Sequence, residues 1–381
     1  MPLPPLSLYI HLPWCERKCP YCDFNSHEAA LIPEQAYVRA LLTDLEADQS
    51  LAAGREVQTL FIGGGTPSLF SADAIALLLQ GIAQQLNLSP GLEATMEANP
   101  GSAEADKFLG FREAGINRLS LGIQSFQDTK LAALGRVHTA EQARAAIEHA
   151  RAAGFDNFNL DLMHGLPGQS PADALNDLQT AIDFQPPHLS WYQLTIEPNT
   201  VFHKRPPTLP VEDTLADIQD AGEELLAGNG YGQYEVSAYS HPGRQCRHNL
   251  NYWSFGDYLA IGAGAHGKIT AADGRVSRYA KTRSPQDYLN AGGKSVTASS
   301  RVLGSSELIE EFMLFNLRLN QGFNASDFEA RTGLPFSTLQ PKLDALIARE
   351  LLQLENGRTI ATDLGRRFLD SVIAEFLDDD D

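Results

Sequence analysis

Six short runs rich in β-branched and aromatic residues, 6–11, 57–62, 93–97, 118–123, 157–162 and 188–195, alternate with amphipathic stretches of helical spacing. Those stretches are 33–53, 72–86, 103–114, 140–153 and 172–184, with 211–226 after the sixth run. Parallel strands need a long connection back to the starting end, so this alternation predicts an α/β protein built from strand and crossover-helix units. Local signals agree: Ser71 and Ser102 suit helix N-caps, Pro33 and Pro171 first-turn positions, and Gly54, Gly115 and Gly154 helix ends. Periodicity alone leaves open whether the units form a small complete sheet or an incomplete barrel.

The unusual residues narrow the choice, because they fall at one end of successive strands. Cys15, Cys19 and Cys22 follow the first strand and Gly63-Gly64-Gly65-Thr66-Pro67 the second; Glu97 ends the third, Gln124 follows the fourth and Asp161 lies at the fifth. Parallel barrels build their sites from the C-terminal strand ends, so these features are expected to share one pocket at the mouth of an incomplete parallel (β/α)6 barrel.

Beyond Thr195 the alternation weakens. Segments 231–239, 252–256 and 258–261 read as shorter strands and turns, giving a small α+β extension over 211–304 beside a barrel over 1–210. From 305 to 381 the order changes to helices at 308–319, 325–331 and 337–349, a hairpin at 351–361 and a helix at 363–376, a winged-helix-like pattern. With 29 Lys and Arg against 48 Asp and Glu, a net charge of −19, the chain repels phosphate backbones. That module is therefore read as a lid or docking element, with nucleic acid excluded as a partner. No leader-like segment opens the sequence, and no apolar run approaches the roughly 20 residues of a membrane span, so a cytoplasmic location without a transmembrane segment is expected.

Three cysteines within eight residues suit thiolate metal binding in a reducing compartment. Each thiolate can hold one iron of a [4Fe–4S] cubane and leave the fourth iron open, or the three can join His11 or His27 around a tetrahedral zinc ion. Spacing permits both. Gly64 and Gly65 allow close backbone approach to a ligand, Arg136 offers a planar fork to a carboxylate, and acids such as Glu97 and Asp161 can pair with an ammonium or with ribose hydroxyls.

The segment Tyr9-Ile-His-Leu-Pro-Trp-Cys15-x3-Cys19-Pro-Tyr-Cys22 resembles that of radical S-adenosylmethionine proteins, particularly oxygen-independent coproporphyrinogen III oxidases and HemW haem chaperones. The resemblance extends through Asp161-Leu-Met-His164-Gly-Leu-Pro167-Gly168 to the C-terminal module. It implies a [4Fe–4S] cluster on Cys15, Cys19 and Cys22 whose open iron chelates S-adenosylmethionine, with an electron donor for its reductive cleavage to a 5′-deoxyadenosyl radical. It also implies S-adenosylmethionine contacts from Tyr9, Tyr21, Gly64, Gly65, Thr66, Glu97, Gln124, Arg136 and Asp161, which match contact positions in the oxidases.

Two departures separate the sequence from the oxidases: they carry a Cys-x2-Cys-x-Cys ending where this chain reads Cys22-Asp-Phe24, and an N-terminal extension where the first cysteine here is residue 15. His248-Asn249-Leu-Asn-Tyr252-Trp253 instead resembles the His-Asn-x-x-Tyr-Trp motif of the haem chaperones. It implies that haem is cargo, ligated by His248 and covered by the rings of Tyr252 and Trp253, and passed to apo-haemoproteins. Any peripheral membrane contact is expected to come through such acceptors. The structural alternative for this motif is a buried turn in which His248 and Asn249 satisfy backbone groups and Trp253 fills the core. Alternatives for the whole chain are the porphyrinogen oxidase, which makes protoporphyrinogen IX, and a zinc-stabilised interaction protein. Cys246 is expected to be an ordinary free thiol.

Overall fold

The computed structural model describes residues 3–101 and 107–377. Six parallel strands, β1 (Leu6–Leu12), β2 (Val57–Gly64), β3 (Leu88–Ala98), β4 (Arg118–Gln124), β5 (Phe158–His164) and β6 (His188–Gln193), lie side by side in chain order. Helices α1 (Glu34–Asp48), α2 (Ala72–Gln85), α3 (Phe108–Ala114), α4 (Ala140–Ala152) and α5 (Pro171–Asp183) make the crossovers, and α6 (Glu212–Gly228) follows β6.

Side chains alternate across a strand, and here the alternation separates apolar from polar. Leu8, Ile10, Leu60, Ile62, Leu121 and Leu160 join the main core, while Ser7, Thr59, Ser120, Asn159 and Asp161 hydrogen-bond to one another or to neighbours inside the barrel. The barrel interior is thus mostly polar, with the Phe61 ring between those of Tyr9 and His248.

The barrel is incomplete, as the sequence predicts, and the extension flanks it on both sides. Strands β7 (Gly232–Glu235) and β8 (Ala238–Ser240) add antiparallel to β6. Strand β9 (Asp257–Ile261) adds parallel to β1, followed by antiparallel β10 (His266–Thr270), β11 (Val276–Lys281) and β12 (Thr297–Val302). The result is one 12-stranded open sheet, and segment 211–304 extends it at both edges.

Segment 252–256, read as strand and turn, is the end of helix α7 (Arg247–Trp253) and a turn in which Phe255 takes a φ of 56°. Pro33 is an N-cap and not a first-turn residue, whereas Pro171 is the first residue of α5 behind a Ser170 capping box. Ser71 accepts from the Ala74 N–H as an N-cap should. Ser102 lies outside the described residues.

The C-terminal segment has its own core around Phe312, Phe323, Phe328, Leu343, Leu346 and Val372. Helices Ser305–Asn316, Ala325–Thr332 and Gln340–Ala348 pack on a three-stranded sheet of Phe323–Asn324, Leu352–Glu355 and Arg358–Ala361. The last predicted helix is split into Asp363–Arg367 and Leu369–Ala374. Among the described residues no helix is long and apolar enough to cross a membrane.

Candidate functional site

One partly accessible position on each barrel strand lies toward the same end: Tyr9 on β1, Gly64 on β2, Glu97 on β3, Gly122 on β4, Asp161 on β5 and Tyr192 on β6. All lie in the middle or at the C-terminal ends of their strands, where the cysteine loop also sits. That loop is short because two residues, Trp14–Cys15, pair in parallel with His27–Glu28 and fold it back on itself.

Cys15 is buried, and Cys19 and Cys22 are half-buried at the surface of the mouth. Burial pushes the Cys15 thiol up, opposed by a hydrogen bond with Thr66, and its neighbours Cys22 and Cys19 push it further. Burial likewise raises Cys22, opposed by Ser26 and by the Lys18 ammonium. Arg136 Nη1 donates to Cys19 Sγ at 3.6 Å. Three thiols close enough to oppose one another's ionisation, beside two cations, form a donor set that fits an anionic iron–sulfur cluster.

A mononuclear zinc site is not assembled with His11. Its Nε2 meets the Asn25 carbonyl at 2.9 Å and its Nδ1 the Tyr9 hydroxyl at 3.0 Å, so both ring nitrogens are engaged. Among the described residues no group of three or more His, Cys, Asp or Glu is arranged to hold a single metal ion.

Next to the thiols the glycine segment forms a cradle with no room for a side chain. A Cβ on Gly65 would stand 2.4 Å from the Trp14 carbonyl oxygen, and one on Gly64, at φ +117°, 2.7 Å from the His11 ring. The Gly64 N–H donates to Glu97 Oε2 at 3.1 Å. Burial and the nearby Asp161 carboxylate push Glu97 up to about 7, against that single N–H. Burial also raises Asp161, opposed by hydrogen bonds from Ser120 and Asn159. A cation placed between two such carboxylates would relieve both.

Arg136 ties the loop to the pocket. Besides Cys19 it donates through Nη2 to Asn99 Oδ1 at 2.6 Å and to the Gly122 carbonyl at 2.9 Å, and its Nε has no partner. Asn99 Nδ2 in turn donates to Thr66 Oγ1 at 3.1 Å. Gln124 is held at a φ of 66°, unusual for a residue with a side chain, and accepts from the Tyr192 hydroxyl at 2.9 Å. Tyr192 lies close to Asp161, Tyr21, Arg136 and Glu97. Tyr9, Tyr21, Gly64, Gly65, Thr66, Glu97, Gln124, Arg136 and Asp161 therefore lie together at the barrel end that holds the cysteines. Asn99 and Tyr192 belong to the same constellation and were not singled out by sequence; each is one polar residue near a strand end, and that position was the only signal.

His248 lies elsewhere. Helix α7 closes the opposite end of the barrel, where His248 is buried, its Nδ1 is 3.0 Å from Thr59 Oγ1 and its N–H donates to Glu93 Oε1 at 3.2 Å. Burial, then the Arg118 guanidinium, lower its pKa to about 3, so the ring is neutral. Tyr252 and Trp253 are not arranged as a porphyrin cover: both pack against Phe315 of the C-terminal core, with Arg318 over the Trp253 ring at 4.7 Å. In this conformation the motif is a helix and not a buried turn, its His248 ring bonded to the Thr59 hydroxyl and its Trp253 half-buried against the C-terminal core. Cys246, also buried, has its thiol pushed up to about 11 by burial.

Glu97 makes the pocket pH-sensitive. The folded chain retains this proton up to about pH 7, while an unfolded glutamate releases it near 4.5. The folded state thus binds more protons between those values, and stability falls as pH rises through that window, by up to about 3 kcal/mol before screening by water at the mouth. Denaturant titrations of the ligand-free protein at about pH 5 and about pH 8 should show that drop, and Glu97→Gln should flatten it. An unchanged pH profile in the variant would remove Glu97 as the source.

Comparison with known proteins agrees with this architecture. The Radical SAM superfamily profile matches residues 9–181 and that of the HemN C-terminal domain matches residues 304–368. The haem chaperone HemW of Escherichia coli is 51% identical over 376 residues, covering 98% of this chain and 99% of that protein. HemW of Haemophilus influenzae is 50% identical over 380 residues, covering 98% of each chain, and that of Lactococcus lactis 35% over 381, covering 99% and 98%. In fold, the radical SAM enzyme coproporphyrinogen III oxidase (HemN) of E. coli superposes with a TM-score of 0.83 over 99% of this chain and 91% of that one, at 23% identity. Full-length identity of this degree, on a barrel whose mouth gathers three thiols and a glycine cradle, places the chain in the HemW haem chaperone family of the radical SAM superfamily.

Proposed function

We propose that this protein is a haem chaperone that binds haem and delivers it to apo-haemoproteins, using a [4Fe–4S] cluster and S-adenosylmethionine. The observation that supports this most is the 51% identity to the E. coli haem chaperone across nearly the whole of both chains. In this reading Cys15, Cys19 and Cys22 hold the cluster, which supplies one-electron chemistry when bound. The glycine cradle and Arg136 take the methionine end of S-adenosylmethionine, Glu97 and Asp161 its cationic and hydroxyl groups, and Tyr9, Tyr21, Thr66 and Gln124 wall the pocket. Residues 1–210 carry this site, 211–304 the haem motif and 305–381 a docking or covering module. The partners are haem, an acceptor apoprotein and an electron donor, in the cytoplasm.

His248 is the proposed haem ligand; with the helix seated its Nδ1 meets Thr59 Oγ1. Binding then requires α7 to part from the barrel floor and from Phe315, so haem uptake is coupled to loosening of the contact with the C-terminal core. Haem titration of the anaerobically reconstituted protein, followed by the Soret band, tests this. His248→Ala should weaken saturable binding about tenfold or more, equivalent to about 1.4 kcal/mol, with cluster iron unchanged. Equal loss of iron and haem, or undiminished haem binding, would reject the assignment. Absence of saturable binding in the wild type, with protoporphyrinogen IX formed from coproporphyrinogen III, would assign the oxidase activity instead.

A further inference from the structure

A directed chain of hydrogen bonds runs through the barrel, from Asp161 in the mouth pocket to the N-terminus of the helix that carries His248. Asn159 Nδ2 donates to Asp161 Oδ1 at 2.8 Å and to Ser120 Oγ at 2.8 Å, and Ser120 Oγ donates to Asp161 Oδ2 at 2.9 Å. The Asn159 amide is thereby oriented with its oxygen toward His188, whose Nδ1 is 2.6 Å away, and toward the Ser190 hydroxyl at 3.2 Å. An amide oxygen only accepts, so His188 Nδ1 carries the hydrogen. Burial, with Arg118 nearby, holds His188 neutral, which leaves Nε2 bare to accept from the Tyr234 hydroxyl at 2.8 Å. Tyr234 accepts in turn from the backbone N–H of Cys246, the N-cap of α7, at 3.3 Å.

Every donor in this series points the same way, from the helix to the carboxylate. Asn159, His188, Tyr234 and Cys246 are all buried, so no bulk water competes for these bonds. Such a series polarises cooperatively: a change in the charge held on Asp161 alters the strength of each bond down to the helix terminus. The same end of the helix is also held by the Glu93 carboxylate, which accepts from the His248 backbone N–H and the Cys246 thiol, by Thr59 Oγ1 at His248 Nδ1, and by Arg247 Nη1, which donates to the Gly91 carbonyl at 2.7 Å. Arg118 stands among Cys246, Glu93, Tyr234 and Asp161, and its charge adds to burial in disfavouring protonation of His188 and His248.

We propose that Asn159, His188 and Tyr234 are positioning residues that couple occupancy of the Asp161 pocket to the seating of helix 247–253. A ligand that pairs with Asp161 fixes it as the carboxylate, tightens the chain and holds the haem motif against the barrel floor; an empty pocket leaves it loose. Coupling of this kind is reciprocal, so haem taken up by the freed motif weakens the hold on the pocket ligand. The inference rests on the reading of the mouth pocket as the S-adenosylmethionine site and needs no haem for its test.

The test is hydrogen–deuterium exchange of residues 246–253 in the full-length, cluster-reconstituted protein, with and without S-adenosylmethionine and with no reductant, so that nothing is cleaved. Ligand binding is measured separately by equilibrium dialysis. In the wild type the ligand should slow exchange of this segment by about threefold or more. Tyr234→Phe, which deletes the hydroxyl joining His188 to the Cys246 N–H, should still bind ligand but lose that protection. His188→Phe should behave likewise, and His188→Gln, whose amide can both donate and accept, should restore it. Binding without protection in the wild type, or protection that persists in Tyr234→Phe, overturns the coupling. Failure of the wild type to bind overturns the pocket reading and the coupling with it.

Discussion

Cys19→Ala is expected to abolish the iron–sulfur cluster outright. With three protein ligands for four irons, loss of one thiolate leaves two irons without protein donors, and Arg136 Nη1 loses the sulfur that it meets at 3.6 Å. After anaerobic reconstitution the variant should fall to background in iron, acid-labile sulfide and visible absorbance, and in 5′-deoxyadenosine formed from S-adenosylmethionine under reduction. Cys246→Ala should keep its iron, because that thiol faces Glu93 at the far end of the barrel. A Cys19→Ala protein with a full complement of iron, or one that still cleaves S-adenosylmethionine, would dismiss the cluster assignment.

The largest stability effect is expected at Asp257, where β9 meets the barrel. This fully buried carboxylate accepts from Arg55 Nη1 at 2.6 Å, Lys268 Nζ at 3.0 Å, the Thr270 N–H at 2.9 Å and the Thr270 hydroxyl at 2.8 Å. Burial alone would raise its pKa, but Lys268, Arg55 and Thr270 together hold it below the usual carboxylate range. Lys268 is itself buried, and desolvation lowers it to about 8 even with its partner present. Removing the carboxylate strands that ammonium over the Phe255 ring, so Asp257→Ala should cost about 3–5 kcal/mol in denaturant titrations. Asp257→Asn, which keeps acceptors but no charge, should fall between. A loss below about 1 kcal/mol would show that the cluster of charges is not what pins β9.

The strand and helix alternation of the first half is legible because each strand places apolar residues on one side and each helix buries one face. Ends were less legible: β3 begins at Leu88, through Pro90 and Gly91, which local preference rejects. Strand β9 looked like an isolated short strand because its partner, β1, lies at the other end of the sequence. The aromatic residues at 252–256 suggested a strand, yet the Leu250 N–H bonds the Cys246 carbonyl in a helix whose rings pack on Phe315. Cysteines, glycines and acids at strand ends revealed the mouth pocket because barrel geometry brings those ends together. The surroundings of His248 were not legible, since they are set by Thr59 and Glu93 from strands more than 150 residues earlier.

One tether has a bearing on the order in which this protein is made. The cysteine loop is anchored by Asn25 Nδ2, which donates to the carbonyls of Ala263 and Arg283, 238 and 258 residues further along the chain. A ribosome-bound chain therefore exposes its thiols long before the groups that seat them exist. The loop reaches its folded seat only after the strand beside β1 has emerged, and a nascent chain stalled earlier holds three cysteines without that anchor.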